Sequence, residues 1–65
     1  MAFKCVNNRY AAEQGKWLKE YVADGGADIA SLPTTDAAGS LAHYGDDGEI
    51  VVYELAPAGS WVQIV

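Results

Sequence analysis

The strongest constraint on the fold is a turn signal, Asp-Asp-Gly at 46–48, that separates two apolar runs. A glycine after aspartate readily adopts the positive φ that a two-residue hairpin turn requires. The run that follows contains Ile-Val-Val-Tyr at 50–53, which are strand-forming residues without the spacing of a helix. Residues 39–55 are therefore predicted to form a β hairpin.

A second turn signal extends this hairpin. Pro-Ala-Gly-Ser at 57–60 precedes Trp-Val-Gln-Ile-Val at 61–65, which has the composition of a strand. The C-terminal half is thus predicted to be a three-stranded meander.

Residues 3–23 allow two interpretations. In the first, they form a hairpin with strands at 3–10 and 16–23 and a turn at 11–15. In the second, they form an amphipathic helix, because six residues share one helical face: Tyr10, Gln14, Trp17, Leu18, Tyr21 and Val22. Gly15 and the β-favouring aromatic residues disfavour the helix, so we favour the hairpin.

The segment between the two halves predicts one short helix, around residues 25–32. Asp24 is suited to cap its first N–H groups, Ile29 and Leu32 are spaced to be buried together, and Pro33 ends it. We therefore expect a mainly β (small α+β) fold, with an antiparallel sheet or meander of four to five strands and this helix. We expect residues 1–65 to form a single small domain, in which 17–65 are the meander core and 1–16 are an N-terminal arm or first hairpin strand.

Charge is unevenly distributed along the chain, whose formal net charge is −5. From residue 20 onward there are eight carboxylates and no Lys or Arg. This distribution excludes a nucleic-acid reader, which needs a basic stripe, and predicts repulsion from anionic membranes. Four cations near the N-terminus are candidates for contact with an acidic neighbour: Lys4, Arg9, Lys16 and Lys19. The alternative is that the carboxylates only keep the domain soluble.

No motif indicates a chemical reaction or a cofactor. His43 is the only imidazole, and its neighbours Asp46 and Asp47 belong to the predicted turn, where they would be solvated. Cys5 lacks an activating neighbour, and the acidic turn has too few spaced oxygen ligands for calcium. We therefore expect no catalytic, cofactor-binding or metal-binding residues and no enzymatic activity.

Aromatic residues are the stronger functional candidates, because they make up 11% of the chain. Some must line the core, and any that remain exposed could bind a partner protein or stack on sugar rings. The candidates are Tyr10, Trp17, Tyr21, Tyr44 and Trp61.

Size predicts dependence on a larger assembly. A chain of 65 residues with one cysteine cannot form an internal disulfide, and domains this small commonly gain stability from oligomerisation. Residues 1–9 lack the apolar run of a signal peptide, so we do not expect export by that route.

Residues 17–65 contain a series of short motifs, namely D-x-x-x-D-I-x-x-L-P-T at 24–34, G-S-x-A at 39–42, V-Y-x-L at 52–55 and G-x-W-V at 59–62. This series resembles small structural proteins of tailed bacteriophages and Firmicutes prophages, including head- and tail- or fibre-associated proteins. The turn at 55–58 is longer than in that pattern, and residues 1–16 have no counterpart in it.

The resemblance implies a virion component that acts by contacts with other virion proteins or with copies of itself. It places the chain in the virion, or in the host cytoplasm during assembly, and it favours the strand interpretation of residues 17–23. The alternative function is a small fibre module that binds a cell-surface glycan or receptor through exposed aromatic residues.

Overall fold

The computed structural model describes residues 3–65. These residues form one five-stranded sheet and the segments that connect its strands. The order of the strands in the sheet follows their order in the chain. The elements are β1 (Phe3–Ala11), β2 (Lys16–Ala23), a 3-10 helix (Gly26–Ser31), β3 (Leu41–Asp46), β4 (Glu49–Leu55) and β5 (Trp61–Gln63). The predicted mainly β class, with one short helix, is confirmed.

The N-terminal hairpin is also confirmed, and the helical alternative for residues 10–22 is wrong. β1 and β2 pair antiparallel from Phe3 opposite Ala23 to Ala11 opposite Lys16, with a register shift between Cys5 and Asn7. Within the predicted arm or first strand, 1–16, residues 3–11 form strand β1 and residues 12–15 form the turn to β2. Residues 1 and 2 lie outside the described residues.

The C-terminal meander has the predicted order of strands. β3 and β4 meet at a turn in which Asp47 and Gly48 both have positive φ, 53° and 85°, as a type I′ hairpin turn requires. β5 ends at Gln63, earlier than the predicted 65, but Ile64 still donates its N–H to the Val52 carbonyl at 2.8 Å.

One strand pair differs from the expected antiparallel sheet. β2 and β3 are parallel, from Glu20 opposite Leu41 to Val22 opposite His43. Parallel neighbours need a crossover connection, and residues 24–40 provide it. We call residues 24–40 the crossover segment.

The helix within the crossover segment lies where it was predicted, but Asp24 does not cap it. Gly25 occupies the N-cap position and makes no side-chain capping bond. Ile29 and Leu32 are buried together, as their spacing predicts. A Cβ on Gly26 would lie 2.9 Å from the Tyr44 hydroxyl oxygen, so only glycine fits there without displacing that ring.

The core lies between the crossover segment and one face of the sheet. Its buried residues are Tyr21, Ala23, Ile29, Leu32 and Ala42, and the partly buried Phe3, Tyr44, Tyr53 and Trp61 pack against them. Tyr21 is central, because its ring makes edge contacts with the rings of Phe3 and Trp61 at centroid distances of 5.6 and 6.2 Å.

Polar groups attach the crossover segment to β2. The Tyr21 hydroxyl donates a hydrogen bond of 2.7 Å to the buried Asp36 carboxylate, which also lies 3.5 Å from Lys19 Nζ. The buried Ser40 hydroxyl accepts from the Lys19 N–H at 3.1 Å and donates to the Ala37 carbonyl at 2.8 Å. These bonds satisfy groups that would otherwise be costly to bury.

Tyr21→Phe tests this attachment. Removing the hydroxyl leaves a buried carboxylate short of one donor, so we expect the free energy of unfolding at neutral pH to fall by about 1–3 kcal/mol. Urea denaturation followed by circular dichroism measures this change. Tyr10→Phe, which removes a hydroxyl from a half-exposed ring, is the control and should change stability by less than about 0.5 kcal/mol.

The same bond predicts a pH dependence. Burial, and then the hydrogen bond to Asp36, raise the pKa of Tyr21 above its ordinary value. A raised pKa in the folded state means that the stabilisation is present below the unfolded value of about 10 and is lost as pH rises above it. Tyr21→Phe should make this alkaline loss of stability shallower. An unchanged profile would contradict the raised pKa of the buried Tyr21 hydroxyl.

Candidate interaction face

The sheet face opposite the crossover segment is the candidate site, and we call it the open face. Residues opposite each other on paired strands share a face, so the register identifies its members. The apolar members are Leu18, Val22, Leu41, Ile50, Val52 and Val62. The charged or titratable members are Lys4, Arg9, Lys16, Glu20, His43 and Glu54.

The apolar side chains of the open face remain accessible to solvent. Val22, Val62 and Ile50 are 38%, 48% and 62% exposed, and Leu41 and Val52 are half-buried. By contrast, Leu55, which points to the covered face, is 1% exposed. No helix or loop among residues 3–65 buries this face as the crossover segment buries the other.

The charges of the open face are ordered across the strands. Exposed Lys4 and Arg9 lie on the edge strand β1, and exposed Glu54 lies on β4, next to the other edge. Between them, His43 Nε2 on β3 lies 3.2 Å from Glu20 Oε2 on β2. The face therefore has a cationic side and a carboxylate side, with an imidazole–carboxylate pair in the middle.

This geometry separates the four predicted contact cations. Lys4, Arg9 and Lys16 lie on the open face, where Lys16 is exposed at the start of β2. Lys19 points to the other side of the sheet, where Asp36 binds it. The structure therefore separates Lys19 from the other three cations, because alternate residues of a strand point to opposite faces.

The five predicted interaction aromatics also divide. Tyr10 and Trp17 are 50% and 49% exposed and pack edge to face at a centroid distance of 5.2 Å. Tyr21 is 3% exposed, so the structure places it in the core and not on the surface. Tyr44 is half-buried and stacks on Tyr53, with ring centroids 6.4 Å apart.

Trp61, the fifth aromatic, is half-buried. Its indole N–H donates to the Pro33 carbonyl at 3.1 Å, and its ring contacts Tyr21. Trp61 thus connects the last strand of the meander to the crossover segment by a hydrogen bond.

The open-face aliphatic residues were not among the predicted site residues. The sequence contains one indication of an apolar open face, the unbroken apolar run at 50–53. A strand with apolar residues at consecutive positions presents them to both faces of the sheet. What the run does not indicate is which face the crossover segment covers.

Among residues 3–65, the titratable groups are not arranged as the ligands of a metal ion. Within residues 3–65, no three or more His, Cys, Asp or Glu side chains come together as metal ligands would. His43 is bonded to Glu20, and no hydrogen bond joins it to Asp46 or Asp47 of the turn. Cys5 is exposed, and its thiol contacts the Asn7 carbonyl oxygen at 3.3 Å.

Comparison with known proteins adds no assignment: no family model, curated protein or solved structure matches the chain. In the described part of the chain, no helix has the length and apolar character needed to cross a membrane. The open face is therefore the feature from which a function can be argued.

The two tryptophans make a matched test of this geometry. Trp61→Ala removes core contacts and a hydrogen bond, so we expect a loss of about 3–5 kcal/mol. Trp17→Ala removes an exposed aromatic pair worth about 0.5–1.5 kcal/mol beyond area burial and should cost clearly less. Urea denaturation of both variants decides the order, and equal losses would contradict the different surroundings described for the two rings.

Proposed function

We propose that this chain is a structural accessory protein of a tailed-phage or prophage-type virion. It acts by protein–protein contacts, as a head-decorating or head- or tail-fibre-associated subunit, and not by catalysis. The virion assignment is supported by the motif series in residues 17–65, and the mode of action is supported by the open face. The observation that carries the proposal is that Val22, Ile50 and Val62 are exposed on one side of the sheet, which no segment among residues 3–65 covers as the crossover segment covers the other side.

The exposed side chains make the open face suited to a partner. Contiguous exposed apolar surface, bordered by polar groups, is typical of protein interaction sites. Full burial of one Val or Ile side chain is worth about 1.5–3 kcal/mol relative to leaving it exposed. Completing the burial of Val22, Ile50 and Val62 alone would therefore contribute a few kcal/mol.

Binding would also stabilise the domain. A partner that binds only the folded state raises the free energy of unfolding by mass action. The chain has 65 residues and its one cysteine, Cys5, forms no disulfide. The stability gained from binding is therefore substantial compared with the stability that its small core provides. The proposed assembly role thus accounts for the open face.

Fractionation of virus particles tests the proposal. Particles are purified on a density gradient from lysates of the cells that produce this chain, and the chain is quantified in each fraction by mass spectrometry. We expect it to sediment with the particles at a fixed ratio to the major head or tail proteins. Recovery only in the soluble fractions would contradict the virion assignment.

Neighbouring residues of β5 provide a matched pair for the same experiment. Val62 lies on the open face, whereas Gln63 lies on the opposite face, and both are exposed. Val62→Asp should remove the chain from the particle fractions because it places a charge in the contact surface. Gln63→Asp adds the same charge outside that surface and should leave incorporation unchanged.

The exposed Tyr10–Trp17 pair favours one second candidate function, a fibre module that binds a cell-surface glycan. Aromatic rings exposed in this way can stack on sugars. Cell-wall fragments and simple saccharides should then change tryptophan fluorescence in the wild type and not in Trp17→Ala, with Trp61→Phe retaining the response. No change in the wild type would remove this candidate.

A further inference from the structure

We propose that the occupant of the open face is the open face of a second copy of this chain. The two sheets would pack face to face about a two-fold axis that runs parallel to the strands between them. This inference rests on the proposed function in taking the open face as a contact surface, and it names the partner.

The size of the open face suits this partner. Five strands spaced by about 4.8 Å, with about six residues each at about 3.3 Å per residue, present a flat area of ~500 Å². The accessible area of a surface with side-chain relief exceeds its flat area, so the buried area approaches the ~600 Å² per partner of the smaller specific interfaces. Two stacked sheets also bury their apolar faces in the manner of a β sandwich.

Charge decides how the two copies are oriented. A two-fold axis parallel to the strands reverses the strand order, so β1 of one copy lies over β5 of the other, and β2 lies over β4. The cations Lys4 and Arg9 on β1 then approach Glu54 of the other copy, because β5 carries no charged residue and Glu54 is the open-face carboxylate of the adjacent strand. Each dimer contains this contact twice.

The other face-to-face arrangement lacks this complementarity. An axis perpendicular to the strands places β1 over β1 and β4 over β4, so that cations oppose cations and Glu54 opposes its own copy. Like charges placed opposite each other cost several kcal/mol in an interface. The charge order of the open face therefore favours the parallel axis.

The centre of the proposed interface is consistent with the same axis. Val22 on β2 meets Val52 on β4, since both lie on the row that contains His43. Glu20 approaches Glu54 of the other copy, and these two like charges repel each other. Each has an opposing partner, however, because the Glu20 carboxylate lies 3.2 Å from His43 Nε2 and Glu54 lies near the cations of β1 from the other copy. The approach of Glu20 to Glu54 is therefore compatible with the parallel axis.

Edge-to-edge pairing of two copies is less favoured. The edge strand β1 contains two cations, Lys4 and Arg9, and a register shift beside Val6. Both features protect edge strands from pairing with another chain. β5, at the opposite edge, is only three residues long. The faces offer far more surface than these edges.

Analytical ultracentrifugation of the purified chain tests the dimer. We expect a monomer–dimer equilibrium in the wild type and in Gln63→Asp, and a dissociation constant raised about tenfold or more by Val62→Asp, which corresponds to at least about 1.4 kcal/mol. Circular dichroism confirms that each variant is folded. A wild type that remains monomeric into the millimolar range overturns the inference.

Charge exchange tests the orientation. Lys4→Glu combined with Arg9→Glu should raise the dissociation constant about tenfold or more, and adding Glu54→Lys to the same chain should restore it, because the contact is then reversed in sign on both copies. Failure of the third substitution to restore dimerisation overturns the proposed axis.

A zero-length carbodiimide cross-link provides a direct readout. Within one chain, Lys4 and Glu54 are separated by three strand spacings, roughly 14 Å, which such a link cannot span. In a mixture of isotopically light and heavy protein, we expect a Lys4–Glu54 peptide that combines light and heavy halves. Links from Lys4 to Glu20 of the other copy, with none to Glu54, would overturn the assignment, because Glu20 on β2 is the open-face carboxylate nearest β1.

The outcomes distinguish this inference from the proposed function. If the purified chain is monomeric but sediments with particles, the open face binds another virion protein, and the second-copy inference fails alone. If the chain dimerises but is absent from particles, the virion assignment fails and the dimer stands.

Discussion

The hydrogen bond from Tyr21 to Asp36 is the interaction on which the architecture depends, because it joins the centre of the sheet to the crossover segment. Burying a carboxylate is costly unless it is paired, and Tyr21 together with Lys19 provides that pairing. The rings of Phe3 and Trp61 then close around Tyr21. One side of the sheet is thereby covered.

The cover on one side leaves the other side of the sheet open, and the proposed function rests on this asymmetry. A chain of 65 residues has one crossover segment and no second segment among residues 3–65 to lay over the opposite face. Antiparallel strands can expose one face to water when it is polar. Here that face carries Val22, Ile50 and Val62 instead, so its apolar area is suited to contact with another protein.

Much of the fold could be predicted from local signals. The turn at Asp47 and Gly48 and the run at 50–53 identified the meander, because turn chemistry and strand propensity act over a few residues. The parallel pairing of β2 with β3 could not be predicted, since it depends on where the crossover segment returns the chain. Asp24 also fits a cap in sequence, yet Gly25 holds that position, because the backbone path decides which residue starts the helix.

For the site, the sequence by itself determined which residues were available for a contact surface: seven aromatic residues, four cations and apolar runs too long for one face. Only the tertiary structure decided their use. It buried Tyr21, turned Lys19 toward Asp36, and left Lys4, Arg9 and Glu54 on the open face. The physical reason is that strand alternation assigns residues to two faces, whereas the long-range path of the crossover segment decides which face is covered.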